Sequence, residues 1–223
     1  MYVLYGGRYT RTGLVSMVLE FGNIAHELRE LDMVNGEHRG DVYRAVNPAG
    51  YVPALMTPDG NVIHETLAIM LYLAERHRLA RLVPGIDDAE RGEFLAGLFF
   101  CSNDIQPEIK RFFFPVRYAP SQSAAPDIHY QARTMLLERF SVIEKRLTDA
   151  RPFYLGERFS MVDLTIAFWA SSVFPSDLMY AACPRVIAHW KRVIAHLPCA
   201  HHITAHHESS FDYWQNHLDF GAN

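Results

Sequence analysis

The chain has 223 residues, 49% hydrophobic and 21% charged, which fits a folded protein of one large or two small domains and excludes wholesale disorder. Twenty-one Lys and Arg against 25 Asp and Glu leave a net charge of −4, so no overall basic field exists to grip nucleic acid or anionic lipid. The longest uncharged apolar stretch, 164–174, is too short for a bilayer, and three cysteines (Cys101, Cys183, Cys199) without CxxC spacing make neither a disulfide framework nor a zinc site.

The N-terminal MYVLYGGRYTR has no basic segment followed by an apolar one, so no secretory signal is expected. Tyr2–Tyr5 is an apolar run ended by Gly6-Gly7 and reads as a buried strand. Gly13–Phe21 has helical spacing, with Gly22 as its stop, and Glu27–Leu31 alternates as a strand should. A weak helix over 37–45 precedes the turn Asn47-Pro48-Ala49-Gly50. Strands over Val52–Met56 and Val62–His64 flank the hairpin turn Thr57-Pro58-Asp59-Gly60, and Leu67–Leu79 is a helix. The order β-α-β-α-β-β-α makes the first two strands parallel and the last two an antiparallel hairpin.

Residues 81–86, with Pro84-Gly85, read as a linker between a first domain of 1–80 and a second of 87–223. Past it the pattern is helical throughout. Asp87 and Glu90 have capping-box spacing, and Phe94, Leu98, Cys101, Ile105, Ile109 and Phe112 recur at three and four, with a kink expected at Pro107. Pro126-Asp127 opens a further helix. Ser160 and Asp163 form a second capping box ahead of a stretch apolar on all sides, which predicts a helix buried at the domain's centre. Pro184 starts the last clear helix. The fold class is therefore a small α/β domain followed by a larger all-α domain.

Three junctions between elements could bind a ligand. Pro53 either ends a loop in trans or, in cis, turns the Val52 N–H and C=O outward to pair with a peptide-like ligand. At His64-Glu65-Thr66 a strand meets a helix. Thr66 can cap that helix, its open N–H groups can take an anion, and Glu65 can hold an ammonium, a pair of charges that suits an α-amino acid end. In the turn 6–12, Thr10 or Thr12 can cap the next helix or place a hydroxyl near Arg8 or Arg11 to stabilise a thiolate.

The segments LY at 4–5, NPAGYVPAL at 47–55, HETLAIMLYLAE at 64–75 and FYLGERFSMVDLTIA at 153–167 together resemble the cytosolic glutathione transferase superfamily, in order and spacing, over nearly the whole chain. The resemblance implies a thioredoxin-like N-terminal domain and an all-helical C-terminal one. It implies a cis Pro53, with Val52 pairing to the cysteinyl part of glutathione and Glu65 and Thr66 holding its γ-glutamyl end. Arg39 or His38 would meet the glycyl carboxylate. Thr66 departs mildly from the usual serine. The chain also departs at the catalytic position, where members carry Tyr, Ser or Cys and this loop carries Thr10, with Tyr9 and Thr12 as alternatives; Tyr5 belongs to the strand.

With no cysteine in the loop, a protein thiol cannot form the mixed disulfide, so the reactive sulfur is that of glutathione. The implied protein is a cytoplasmic homodimer that uses glutathione as co-substrate, needs no metal, and sends the glutathione thiolate against a hydrophobic electrophilic or disulfide small molecule. A non-catalytic binding or regulatory protein, and a glutathione-dependent isomerase, ether-cleaving enzyme or dehalogenase, are the alternatives. The aromatic cluster Phe99, Phe100, Phe112, Phe113, Phe114 and Tyr118 is either helical core or one wall of the acceptor site. His201, His202, His206 and His207 read as a solvated tail, with the i, i+4 pair His202–His206 as the metal-binding alternative.

Overall fold

The computed structural model describes residues 1–7, 10–173 and 177–217. Among these, four strands form one mixed sheet: β1 (Tyr2–Gly6), β2 (His26–Glu30), β3 (Ala54–Met56) and β4 (Val62–Ile63), in the order β2-β1-β3-β4. β2 runs parallel to β1, with Leu4 opposite Leu28, while β3 is antiparallel to both β1 and β4. The helix α1 (Thr12–Phe21) makes the crossover between the parallel pair, and α2 (Asp41–Arg44) and α3 (Thr66–Arg76) complete this half.

The two-residue period of β1 explains the layering. Tyr2 and Leu4 join the core under α1 and α3, and Tyr5 joins a smaller cluster with Leu31, Tyr43, Val52 and Ala54 on the other face. β2 is the sheet edge, and its sequence HELRE leaves charged, exposed side chains there, a pattern that discourages edge-to-edge pairing.

From Arg91 onward helices dominate the described chain: α4 (Arg91–Phe100), α5 (Gln106–Phe113), α6 (Ala125–Arg146), α7 (Met161–Val173), α8 (Asp177–Ala182), α9 (Pro184–His196) and α10 (His201–His217), with isolated β-bridges such as Phe153 to Gly156 between α6 and α7. Every residue of α7 is buried, as its all-round apolar pattern requires. Ser160 and Asp163 do form a capping box: the Ser160 N–H donates to Asp163 Oδ2 at 2.8 Å, and Ser160 Oγ accepts from the Val162 N–H at 3.3 Å. Asp163 Oδ1 also accepts from the Tyr154 N–H and from His189 Nε2, at 2.7 and 2.9 Å.

Pro107 cannot donate to the turn before it, and the chain meets this with a π-helical turn over Cys101–Ile105 between α4 and α5. Met161 N–H donates to the Leu82 C=O at 2.9 Å, and Leu82 and Val83 are buried, so the segment joining the two halves is packed against α7.

Three local expectations are corrected. Asp87 and Glu90 make no capping box: α4 starts after Glu90 without a side-chain cap, and Asp88 and Glu90 instead accept from Arg158 Nη1 at 2.9 and 3.3 Å. β3 begins at Ala54, two residues late, because a cis Val52–Pro53 bond precedes it. The histidine-rich tail is the helix α10 and is not solvated throughout. The His206 ring stacks on Phe168 at 3.9 Å and its Nε2 lies 2.7 Å from Ser172 Oγ, while His207 Nδ1 donates to the Ser171 C=O at 2.8 Å.

The turn 47–50 shows why its residue types are needed. Asn47 Nδ2 donates to the Tyr51 C=O at 2.7 Å, the Gly50 N–H closes the turn on the Asn47 C=O at 2.9 Å, and Gly50 has φ +64°. A side chain there would be strained, and its Cβ would lie 3.0 Å from the His38 C=O. Gly50→Ala is therefore expected to cost about 1–2 kcal/mol, a melting shift of roughly 2–8 °C by calorimetry.

Candidate functional site

The turn between β1 and α1 carries a closed hydrogen-bond circuit. Thr10 Oγ1 donates to the Gly7 C=O at 2.7 Å, which commits its one proton. The 2.8 Å contact between Thr10 Oγ1 and Thr12 Oγ1 must then be donated by Thr12, whose oxygen accepts from the Gly7 N–H at 3.3 Å. Thr10 Oγ1 also accepts from the Thr12 N–H at 3.3 Å, so it serves the helix start as well. The circuit needs Gly6 and Gly7: a Cβ on the first would collide with Thr12 and on the second with Met33.

Thr12 is buried and Thr10 half-buried, so of the two hydroxyls Thr10 is the accessible one. Tyr9, the third candidate, lies outside the described residues. Thr10 and Thr12 line a cavity of about 310 Å³ whose far wall is α10, through His202, Ala205, His206 and Glu208. The aromatic cluster of 99–118 does not line it. Phe112 and Phe113 are core, whereas Phe99, Phe114 and Tyr118 are exposed, with Arg117 4.2 Å over the Phe114 ring and Arg111 paired to Glu108 at 2.6 Å.

Pro53 is cis, and Val52 N–H has no hydrogen bond among the described residues. The Val52 C=O is not open, contrary to the expectation: Arg11 Nη2 donates to it at 3.0 Å. Burial lowers the Arg11 pKa, and the Glu65 carboxylate, with Tyr51 after it, acts in the opposite direction. Lys110 of α5 shares this environment: burial and then the Arg11 charge lower its pKa, against Glu65. Its ammonium sits 5.8 Å from the centre of the Tyr51 ring. Glu65 thus lies within electrostatic reach of two cations, one from each half of the chain.

Glu65 has φ +68°, a conformation that an L side chain adopts only at a cost, and it is the N-cap of α3. Thr66 is the first helical residue and so is not the cap that its type suggests. Its hydroxyl oxygen is buried with no partner among the described residues, as is His64 Nδ1. Thr66 therefore presents a buried, unpaired hydroxyl at the start of a helix, beside the Glu65 carboxylate.

Arg39 ends the short 3-10 turn Glu37–Arg39, is exposed, and makes no ion pair among the described residues. His38 beside it is half-buried, and burial, then Arg39 and Arg117, hold its pKa below the ordinary imidazole value. All three cysteines are buried and free. Burial raises each thiol, that of Cys183 to about 11, so none is a reactive thiolate.

The sequence offers Arg11 only as a charge near the loop hydroxyls, not as a partner of Val52 and Glu65, and it does not offer Lys110 at all. For Arg11 only its place in the turn was a signal. For Lys110 there was none, since its approach depends on how α5 packs.

The family model described as "Glutathione S-transferase, N-terminal domain" matches residues 14–76, and that described as "Glutathione S-transferase, C-terminal domain" matches 109–196. The chain is 31% identical over 138 residues to the glutathione S-transferase GstA of Escherichia coli O157:H7, a match spanning 60% of this chain and 64% of that protein. It is 28% identical over 157 residues to a maleylacetoacetate isomerase of Dictyostelium discoideum, covering 68% and 69% of the two chains. The crystal structure of a glutathione transferase homologue from Sulfitobacter with bound glutathione superposes with a TM-score of 0.81 at 22% identity, over 92% of this chain and 97% of that one. With a thioredoxin-like half followed by an all-helical half, and both family models matched in order, the chain belongs to the cytosolic glutathione transferase superfamily.

Proposed function

We propose that this protein binds glutathione as co-substrate and stabilises its thiolate for attack on an electrophilic or disulfide small molecule. The observation that carries the reading is the buried, unpaired Thr66 hydroxyl beside Glu65 at φ +68°. Glutathione's γ-glutamyl end has an ammonium for Glu65 and a carboxylate for the Thr66 hydroxyl, the α3 N–H groups and the cations Arg11 and Lys110. The Val52 N–H would pair with the cysteinyl C=O, and Arg39 would take the glycyl carboxylate. The neighbour crystallised with glutathione supports the same reading. The division at 81–86 into a glutathione-binding and a helical domain, a homodimer and a cytoplasmic place belong to this proposal.

Thr10 supplies the activating hydrogen bond, not the nucleophile. Its proton is on the Gly7 C=O, a neutral acceptor, and a thiolate nearby would be the stronger acceptor. Turning the proton to sulfur lowers the thiol's pKa, and Thr12 can keep donating to Thr10 Oγ1 while it does so. The acceptor would enter the 310 Å³ cavity on the other side of Thr10.

The test is calorimetric titration with glutathione, then turnover against a panel of electrophiles and disulfides. Thr10→Ala is expected to lower kcat/KM about 10- to 100-fold with a glutathione Kd within about threefold, and Thr10→Ser to keep most activity. No binding of glutathione would sink the reading. Binding without turnover would leave the regulatory alternative in its place. A glutathione-dependent isomerase is the second reading, favoured by the named isomerase among the relatives. Catalysis of a cis–trans isomerisation without consumption of glutathione would select it.

A further inference from the structure

A separate cluster lies where the end of α1 meets the start of α10. His202 Nε2 is 2.6 Å from Glu20 Oε1, and His201 Nε2 is 3.7 Å from Glu20 Oε2. The two imidazole rings lie 4.1 Å apart at 36°, and one ligand atom from each of the three residues falls within 4.8 Å of the others. The His202–His206 pair suggested by helical spacing is not used, because His206 is committed to Phe168 and Ser172.

The ring of His201 is oriented by its surroundings. Its Nδ1 lies 3.2 Å from the Pro198 C=O, which can only accept, so Nδ1 carries a proton and Nε2 is the ring nitrogen that faces Glu20. Metal-binding imidazoles are held in this way by a backbone carbonyl on the far ring nitrogen. Tetrahedral coordination at about 2.0–2.1 Å places ligand atoms roughly 3.3–3.5 Å apart; His201 Nε2 is already near that spacing from Oε2, at 3.7 Å, and the 2.6 Å His202–Oε1 hydrogen bond would have to open to reach it.

Charge points the same way from one side and against it from the other. Glu20 lies in the last turn of α1, the negative end of that helix, which has no basic residue to offset it. The start of α10 is a positive end and opposes a cation, so the carboxylate and the two nitrogens must supply the affinity. Cys199, in the preceding turn, is buried with its thiol pKa raised, and it contributes no thiolate.

We propose that Glu20, His201 and His202 form a binding site for a zinc-class divalent cation, with two nitrogen ligands, one carboxylate and an open position for water. The ion would tie α10 to α1. Gly13, two turns earlier on the same face of α1, shows how closely the helices already approach: a Cβ on it would lie 3.6 Å from His202 Cβ, in ordinary contact. Because His202 also lines the cavity beside Thr10, the ion would fix one wall of that cavity.

The test titrates untagged, chelator-treated protein with zinc chloride by calorimetry. One ion per chain is expected, with a melting rise of about 5 °C or more at hundredfold excess over Kd. Glu20→Gln and His202→Ala should each weaken binding at least about tenfold, while His26→Ala should not. Cobalt(II) in place of zinc should give the visible absorption of a four-coordinate site, lost in both variants, and this second readout applies if one variant fails to fold. No heat of binding, or zinc binding of unchanged affinity in the folded variants, would overturn the proposal and leave a plain hydrogen bond between Glu20 and His202.

Discussion

Asp163→Ala is expected to be the most destabilising single substitution discussed, at about 3–5 kcal/mol or more, lowering the melting temperature by roughly 10 °C or more. Asp163 is fully buried and its carboxylate accepts four hydrogen bonds: from the Tyr154 N–H at 2.7 Å, the Ser160 N–H at 2.8 Å, Ser160 Oγ at 3.1 Å and His189 Nε2 at 2.9 Å. Ser160 Oγ can turn to another acceptor. The two backbone N–H groups and the imidazole cannot, and each buried donor left unpaired costs about 1–3 kcal/mol. The loss falls on α7, which is the centre of the helical half and touches the joining segment through Leu82. Against a total stability of about 5–15 kcal/mol, the variant should express largely as insoluble protein. Thermal unfolding by circular dichroism checks this, and a soluble variant melting within 2 °C of the parent would show the network to be dispensable.

The second large effect concerns affinity. Glu65→Gln keeps the size and the left-handed backbone of the residue but removes the charge proposed to meet glutathione's ammonium. The Kd for glutathione should rise roughly 10- to 150-fold, the equivalent of about 1.5–3 kcal/mol for a charge-assisted hydrogen bond. Glu65→Gly separates binding from backbone strain. Glycine adopts φ +68° freely, so this variant should be more stable by about 1 kcal/mol while binding glutathione at least as poorly as the Gln variant. Stability and affinity moving in opposite directions at one residue would mark Glu65 as a position where strain is kept for binding. A Glu65→Gly protein that binds glutathione normally would remove Glu65 from the site.

What could be read from the sequence was what is local in it. The turn at 47–50 and the capping box at 160–163 each depend on residues a few positions apart, whereas the cis form of Pro53 followed only from the family resemblance. The same logic failed where tertiary packing chose between local options. Thr66 has the chemistry of a cap, yet Glu65 takes that place, and nothing in a glutamate predicts positive φ. Asp87 and Glu90 have capping-box spacing, yet Arg158, about 70 residues away, draws Asp88 and Glu90 to itself. Arg11 meets Val52 across 41 residues, and His202 meets Glu20 across 182; no periodicity encodes either contact. The histidines of α10 looked solvated because the surface of Phe168 that covers His206 belongs to another helix.

The π turn over Cys101–Ile105 sets the angular position of everything that follows it. A single extra residue in a helix rotates the downstream side chains by about 100° about its axis. Lys110 lies five residues past that turn, and only with this phase does its ammonium face Glu65 and Arg11, while Ile109, Phe112 and Phe113 remain in the core. The π turn therefore acts as an indexing device: it keeps the core face of α5 in register and aims one cation across the boundary between the two halves of the chain.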